Sequence, residues 1–105
     1  MKTELCRLED LENGSARGID IRNERYIVVR QGQSLFVYLN QCPHLGVPLD
    51  WQPDQFMDAE DDLLRCATHG ALFLPDTGEC VFGPCLGRFL TKIPFEFEDG
   101  IAYLI

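Results

Sequence analysis

Basic residues are scarce in this sequence of 105 residues, in which nine Lys and Arg stand against seventeen Asp and Glu. The formal net charge is −8 at pH 7. Binding to nucleic acid depends on Lys and Arg that neutralise phosphates, so we expect no nucleic-acid partner. The charge favours a protein partner with a basic face, because complementary charge speeds encounter. Acidity that only aids solubility remains an equal alternative.

Long apolar runs are also absent, and no stretch is long enough to cross a bilayer. We therefore expect no membrane partner. The first residues, 1–5, contain neither an apolar core of signal-peptide length nor a twin-arginine pair. This predicts a cytoplasmic protein, in which thiols stay reduced. The length predicts a single domain over residues 1–105, and there is no repeat or linker.

Helix signals are few, apart from a possible short turn near Pro53 to Met57. Strand signals dominate instead. β-Branched and aromatic runs joined by a turn predict one hairpin over residues 26–39 and a second over residues 92–105. Three shorter runs also read as strands: Leu63–Cys66, Ala71–Leu74 and Cys80–Phe82. Many short strands with Gly and Pro turns predict an all-β, antiparallel domain.

The chain has only two histidines, and each lies close after a cysteine. Cys42-Pro43-His44 is followed, after 21 residues (45 to 65), by Cys66-Ala67-Thr68-His69. Two thiolates and two imidazoles in this arrangement predict a metal site with four ligands. Structural zinc is an alternative, although its first ligand pair is usually spaced more widely than Cys-x-His. Ordinary buried cysteines and unliganded histidines are the other alternative.

This pattern resembles the Rieske family, in which two Cys hold one iron of a [2Fe–2S] cluster and two His hold the other. The resemblance continues through Leu45–Leu49 and through Gly83-Pro84-Cys85. It implies one [2Fe–2S] cluster as cofactor. The ligands that it implies are Cys42, His44, Cys66 and His69.

The resemblance also implies the fold, a Rieske-type antiparallel β-sandwich of three layered sheets. A cluster-binding subdomain of about residues 40–86 would be inserted into a β base formed by residues 1–39 and 87–105. Both ligand pieces would lie on loops that project from hairpins. Pro84 matches the family's third loop and would cover the cluster from the side.

Two departures from the respiratory branch of the family bear on the reduction potential. Respiratory members join an additional cysteine in each ligand loop as a disulfide, but Val47 and Thr68 stand at those positions. They also place a serine and a tyrosine, which donate hydrogen bonds to the cluster sulfurs, where this chain has Ala71 and Phe73. Such hydrogen bonds raise the potential. We therefore predict a potential toward the negative end of the Rieske range of about −150 to +300 mV.

The function implied is that of a stand-alone Rieske-type ferredoxin, a one-electron carrier and not an enzyme. Its donor would be a flavin-dependent reductase, and its acceptor a terminal oxygenase or another redox enzyme. His44 and His69 would be the electron ports. Two alternatives remain, namely the small subunit of an assimilatory nitrite reductase and a cluster-bearing redox-sensing module.

Other residues carry weaker signals. The acidic run of residues 58–62 predicts a solvated loop, with a docking edge for a basic partner as the alternative. Cys80 and Cys85 flank the cluster loop, and we expect buried thiols, with a disulfide or redox role as the alternative. Cys6 and Trp51 are expected to serve packing.

Overall fold

The computed structural model describes residues 3–43, 49, 56–57, 63–66 and 70–105. Within these residues, nine strands form three antiparallel sheets of three strands each, which confirms the predicted all-β, three-sheet architecture. The strands are β1 (Thr3–Arg7), β2 (Ala16–Ile21), β3 (Glu24–Gln31), β4 (Ser34–Leu39), β5 (Leu64–Arg65), β6 (Leu72–Phe73), β7 (Cys80–Phe82), β8 (Phe95–Glu98) and β9 (Ile101–Leu104). A 3₁₀ turn spans Leu8–Asp10. No helix in this part of the chain has the length and apolarity needed to cross a membrane.

The first sheet has the strand order β1-β9-β8. Its hairpin turns at Asp99 and Gly100, both of which have positive φ. Strand β8 begins at Phe95, later than the predicted start at residue 92, because Pro94 has no N–H to donate to a ladder. Lys92 instead forms a β-bridge with Tyr38, and the Ile93 N–H donates to the Val37 carbonyl at 2.9 Å.

The second sheet has the order β2-β3-β4 and contains the predicted hairpin. Gln31 pairs with Ser34, so the turn consists of Gly32 and Gln33, and Gly32 has a φ of +62°. Strand β2 was not predicted from the sequence. It carries Arg17, Gly18 and Asp20, and it lies at the edge of the sheet, where a polar strand with a glycine is tolerated.

The third sheet, β5-β6-β7, is small, and two of its strands have two residues each. The short runs predicted on either side of the second ligand piece form β5 and β6, and a turn at residues 75–77 connects β6 to β7. The predicted turn near Pro53 to Met57 lies mostly outside the described residues. Met57 forms a β-bridge with Leu64.

Strand β3 is buried on both faces, which makes the second sheet the middle layer. Ile27, Val28 and Val29 are all fully buried. Because side chains alternate along a strand, Ile27 and Val29 join one hydrophobic cluster whereas Val28 joins the other. The first cluster also contains residues of the third sheet, and the second contains Cys6 and Ala102 of the first sheet. Cys6, on strand β1, therefore packs in the hydrophobic core, as predicted.

Tyr38 connects the middle sheet to the third sheet. Its side chain is fully buried, and its hydroxyl donates to the Pro75 carbonyl at 2.7 Å. A Cβ added at Gly78 would lie 2.8 Å from the Tyr38 ring, so the turn before β7 packs directly on the aromatic face. Burial, followed by the nearby Asp76 carboxylate, raises the pKa of Tyr38, and the phenol remains a donor at neutral pH.

Tyr38→Phe should lower the free energy of unfolding by ~1–3 kcal/mol, because the buried Pro75 carbonyl would lose its donor. Denaturant titration measures this loss. Tyr26→Phe is the matched control, since Tyr26 is only partly buried and packs against the other hydrophobic cluster. Equal losses in the two variants would contradict the role given to the Tyr38 hydroxyl.

Candidate metal centre

Cys42 follows strand β4 and its side chain is fully buried. The first ligand segment starts from Asn40, whose N–H donates to the Arg25 carbonyl at 2.8 Å. The Asn40 side chain is buried too, and its Oδ1 accepts a hydrogen bond from the Leu49 N–H at 2.8 Å. This contact ties residue 49 back to the end of β4. The segment that begins with Cys42 is therefore held at both of its ends.

Cys66 directly follows strand β5, and its side chain is also fully buried. Its N–H donates to the Ala71 carbonyl, and its own carbonyl accepts from the Gly70 N–H, both at 2.8 Å. Gly70 has a φ of +69°, a conformation that side chains disfavour. These two hydrogen bonds close the second ligand segment, so that Cys66 and residues 70–71 lie side by side.

Two of the four predicted ligands thus lie in the same part of the core. Cys42 and Cys66 belong to the same hydrophobic cluster, although 23 residues separate them in the sequence. His44 and His69 lie outside the described residues, as do Val47, Thr68, Trp51 and the acidic run 58–62. The four-ligand set and the roles assigned to those residues therefore stay predictions.

The third loop, which we take as residues 83–88, packs directly on the second ligand segment, residues 66–71. Gly83 has a φ of +104°, and a Cβ built there would lie 2.8 Å from the Ala71 Cα. The same loop also reaches the first segment, because Arg88 Nη1 donates to the Pro43 carbonyl at 3.2 Å. Pro84 itself is exposed. The loop contacts both ligand segments, and the covering role of Pro84 remains a prediction.

Cys80 and Cys85 place two more sulfurs beside the site, and both are buried, as expected, with free thiols. Their Sγ atoms lie 3.0 Å apart, and Cys80 Sγ donates to the Phe82 carbonyl at 3.2 Å. The Cys85 side chain also interacts with the Cys42 side chain. Burial, followed by the contacts with Cys80 and Cys42, raises the pKa of Cys85 to about 12.

The two described cysteine ligands fit an iron–sulfur cluster. Cys42 and Cys66 offer two thiols in a water-excluded cluster, which suits thiolate ligation. Among the described residues, no three His, Cys, Asp or Glu side chains are grouped to hold a metal ion. Cys80 and Cys85 therefore do not complete an all-cysteine site with Cys42 or Cys66.

Ala71 and Phe73 flank this part of the second segment. Both are fully buried, and neither side chain carries a hydroxyl. The nearby Tyr38 hydroxyl is committed to the Pro75 carbonyl. The hydroxyl donors that the respiratory branch has at these two positions are thus missing inside the site.

Two site residues, Asn40 and Arg88, were missed by sequence reasoning. They act through contacts with backbone 9 and 45 residues away, respectively. Cys85 was singled out in the sequence, but nothing there indicates its interaction with Cys42, which lies 43 positions earlier.

The fold and the site together define an iron–sulfur domain. The chain matches the Rieske [2Fe-2S] domain family over residues 1–94, and it belongs to that family. This confirms the predicted family and its cofactor, one [2Fe–2S] cluster. Over 94 residues the chain is 32% identical to the cytochrome b6-f complex iron-sulfur subunit of Chlorobaculum tepidum, which covers 87% of this chain and 46% of that protein. The chain spans less than half the length of the curated relatives that it matches.

Solved structures show the same architecture. The ferredoxin of carbazole 1,9a-dioxygenase from Nocardioides aromaticivorans IC177 has a TM-score of 0.77 at 22% identity, covering 99% of this chain and 96% of that one. A chain in a complex of reduced oxygenase and oxidized ferredoxin in carbazole 1,9a-dioxygenase has a TM-score of 0.76, also at 22% identity, and covers 98% and 91%. The predicted Rieske-type fold is confirmed by these likenesses.

Gly83→Ala should loosen the contact between the third loop and the second ligand segment. The added Cβ would meet the Ala71 backbone, and such overpacking costs ~1–3 kcal/mol beyond the strain of a positive φ. Gly87→Ala is the matched control, because Gly87 lies in the same segment with a φ of +86° and has nothing within 4 Å of an added Cβ. Denaturant titration and the iron content after purification measure both effects. Equal behaviour of the two variants would contradict the packing role of Gly83.

Proposed function

We propose that this protein is a one-electron carrier of the ferredoxin type and not an enzyme. The observation that supports this most is the match in extent, since the chain aligns over 99% of its length with 96% of a ferredoxin. Cys42 and Cys66 would hold one iron, and His44 and His69 would hold the other.

The residues of the chain would prepare the site in three ways. Asn40 and the hydrogen bonds of Cys66 hold the two ligand segments closed, which fixes both thiols before binding. The hydrophobic cluster excludes water from Cys42 and Cys66. The third loop lies across both segments. When bound, the cluster supplies a centre that takes up and releases one electron.

The proposed donor is a flavin-dependent reductase, and the proposed acceptor is a terminal oxygenase or another redox enzyme. Likeness to a chain from an oxygenase and ferredoxin complex supports an oxygenase acceptor. Beside the site, the segment of residues 81–89 exposes Phe82, Leu86 and Phe89. Exposed aromatic and aliphatic side chains are typical of protein contact surfaces. We further propose a cytoplasmic location without nucleic-acid or membrane partners.

The proposed division of the domain follows the sheets. Strands β5, β6 and β7 lie between residues 40 and 86 and belong to the proposed cluster-binding subdomain. The other two sheets are built from residues 1–39 and 87–105, the proposed base. Tyr38 and the shared hydrophobic cluster join the two parts.

Purification without oxygen should yield a coloured protein with two irons and two sulfides per chain. Its reduced state should give a rhombic EPR signal with an average g below the free-electron value, because imidazole ligation lowers it. Cys66→Ala and His69→Ala should lose this signal, whereas Cys6→Ala, a control in the other hydrophobic cluster, should keep it. A colourless or zinc-bound wild-type protein would overturn the proposal.

Electron transfer is then tested by mixing the oxidised protein with a flavin-dependent reductase and NADH in a stopped-flow instrument. A carrier should be reduced rapidly and should reoxidise in the presence of an oxygenase. Stable copurification with one large partner would instead favour the alternative of an enzyme subunit. A change of partner affinity with redox state, without fast turnover, would favour the sensor.

The double substitution Ala71→Ser with Phe73→Tyr should raise the reduction potential. Each change adds a hydroxyl at a buried position beside Cys66, and hydrogen bonds to cluster sulfur favour the reduced state. We expect a shift of about 59 mV, a tenfold change in a one-electron equilibrium. Phe89→Tyr, an exposed position, is the control for an added phenol. Voltammetry that shows no upward shift would contradict this explanation of a low potential.

A further inference from the structure

Three cysteine side chains lie together in the core beside the proposed cluster. The Cys85 Sγ donates to the Sγ of Cys80 at 3.0 Å, and the Cys85 side chain also interacts with the Cys42 side chain. All three side chains are at most 1% exposed. Cys42 is a proposed ligand, whereas Cys80 and Cys85 have no role in the proposed function. Two buried thiols next to a ligand sulfur call for a physical explanation, because buried polar groups are usually hydrogen-bonded.

The thiol protons of Cys80 and Cys85 can be assigned to acceptors. Each free thiol has one proton to donate. The Cys80 proton is used by the Phe82 carbonyl, to which Cys80 Sγ donates at 3.2 Å. Cys80 therefore meets Cys85 as an acceptor. The single proton of Cys85 then has two candidate acceptors, the sulfur of Cys80 and the sulfur of Cys42.

The charge of the acceptor decides between them. A cysteine that ligates iron has lost its proton and carries negative charge, whereas the Cys80 sulfur donates its own proton to the Phe82 carbonyl and offers only an uncharged acceptor. Hydrogen bonds to charged acceptors are about twice as strong as those between neutral groups. With the cluster bound, the Cys85 S–H is therefore a better donor to the Cys42 sulfur than to the Cys80 sulfur.

We propose that the Cys85 thiol donates a hydrogen bond to the ligand sulfur of Cys42 and thereby raises the reduction potential of the bound cluster. The proposal rests on the proposed function, which makes Cys42 a ligand. Reduction adds negative charge that the ligand sulfurs share, so a donor to Cys42 stabilises the reduced state more than the oxidised state. Cys85 acts through Cys42 and is a positioning residue.

The backbone around Cys85 keeps its thiol in place. The Cys80 N–H donates to the Arg88 carbonyl at 2.8 Å, and the Arg88 N–H donates to the Cys85 carbonyl at 2.8 Å. The Gly87 N–H donates to the Cys80 carbonyl at 3.1 Å. These three bonds lock β7 and the third loop into one unit, so that Cys85 is presented to Cys42 from a fixed position.

This donor reaches the site from a different segment than the two hydroxyls that are missing at Ala71 and Phe73. Ala71 accepts a hydrogen bond from the Cys66 N–H, and Phe73 lies on strand β6 just beyond it. Cys85 instead belongs to the third loop and contacts the ligand of the first segment. Within the described residues the site therefore retains a side-chain donor to a ligand sulfur, and the potential should lie higher than the loss of both hydroxyls alone would give.

Cys85→Ser and Cys85→Ala test the donor, because serine and alanine differ little in size and only serine donates. Reduction potentials of the purified holoproteins are measured by spectroscopic titration, with reduced-state EPR to verify the cluster. Cys85→Ala should disfavour reduction about threefold, or ~28 mV for a one-electron couple. Cys85→Ser should match the wild type or exceed it, and Cys6→Ala, in the other hydrophobic cluster, should leave the potential unchanged. Equal potentials in the serine and alanine variants would overturn the proposal.

A second measurement works on the wild-type protein even where a variant loses its cluster. The infrared difference spectrum between oxidised and reduced protein should contain an S–H stretching band that moves on reduction, shifts in deuterated water and vanishes in Cys85→Ser. No redox-sensitive S–H band, or a Cys80–Cys85 disulfide found by mass spectrometry, would overturn the hydrogen bond. A wild-type protein without a cluster would instead refute the proposed function, so the two failures are distinguishable.

Discussion

Burial of sulfur in the hydrophobic core is the constraint on which the rest of the structure depends. Cys42, Cys66, Cys80 and Cys85 all belong to the cluster that Ile27, Val29 and Tyr38 form on one face of the middle sheet. The third sheet is too small to have a core of its own. It is stable only because the cysteines, Phe73 and Leu64 fill the space between it and the middle sheet. The floor of the site and the core of the domain are therefore the same set of contacts.

This sharing couples stability to metal binding. Thiols fit an apolar core as small apolar side chains, whereas thiolates do not unless a metal neutralises them. Binding then requires deprotonation, which makes occupancy depend on pH and links it to the folding equilibrium.

Hairpins and strands set by neighbouring residues were predictable from the sequence, whereas contacts between distant segments mostly were not. The hairpin over residues 26–39 was predictable because the β-branched runs and Gly32 report on neighbours close in the sequence. Strand β8 starts later than the alternating pattern indicates, because Pro94 has no N–H to donate. Strand β2 gives little strand signal, because an edge strand tolerates Arg17, Gly18 and Asp20. In the site, the spacing of Cys42 and Cys66 identified both cysteines, but Asn40, Arg88 and the partner of Cys85 depend on distances that spacing does not encode.

The register of the first sheet has a consequence for how the molecule is made. Among the described residues, strand β1 pairs only with β9, so the ladder that contains Thr3 cannot form before Leu104 has been synthesised. The middle sheet, by contrast, closes within residues 16–39, and both proposed cysteine ligands are synthesised before residue 67. On a ribosome, the middle sheet and the sulfur-bearing segments are exposed to the cell before the first sheet can cover the other face of β3. Delivery of iron and sulfide during synthesis would therefore meet a half-built domain whose apolar side is still open to chaperones.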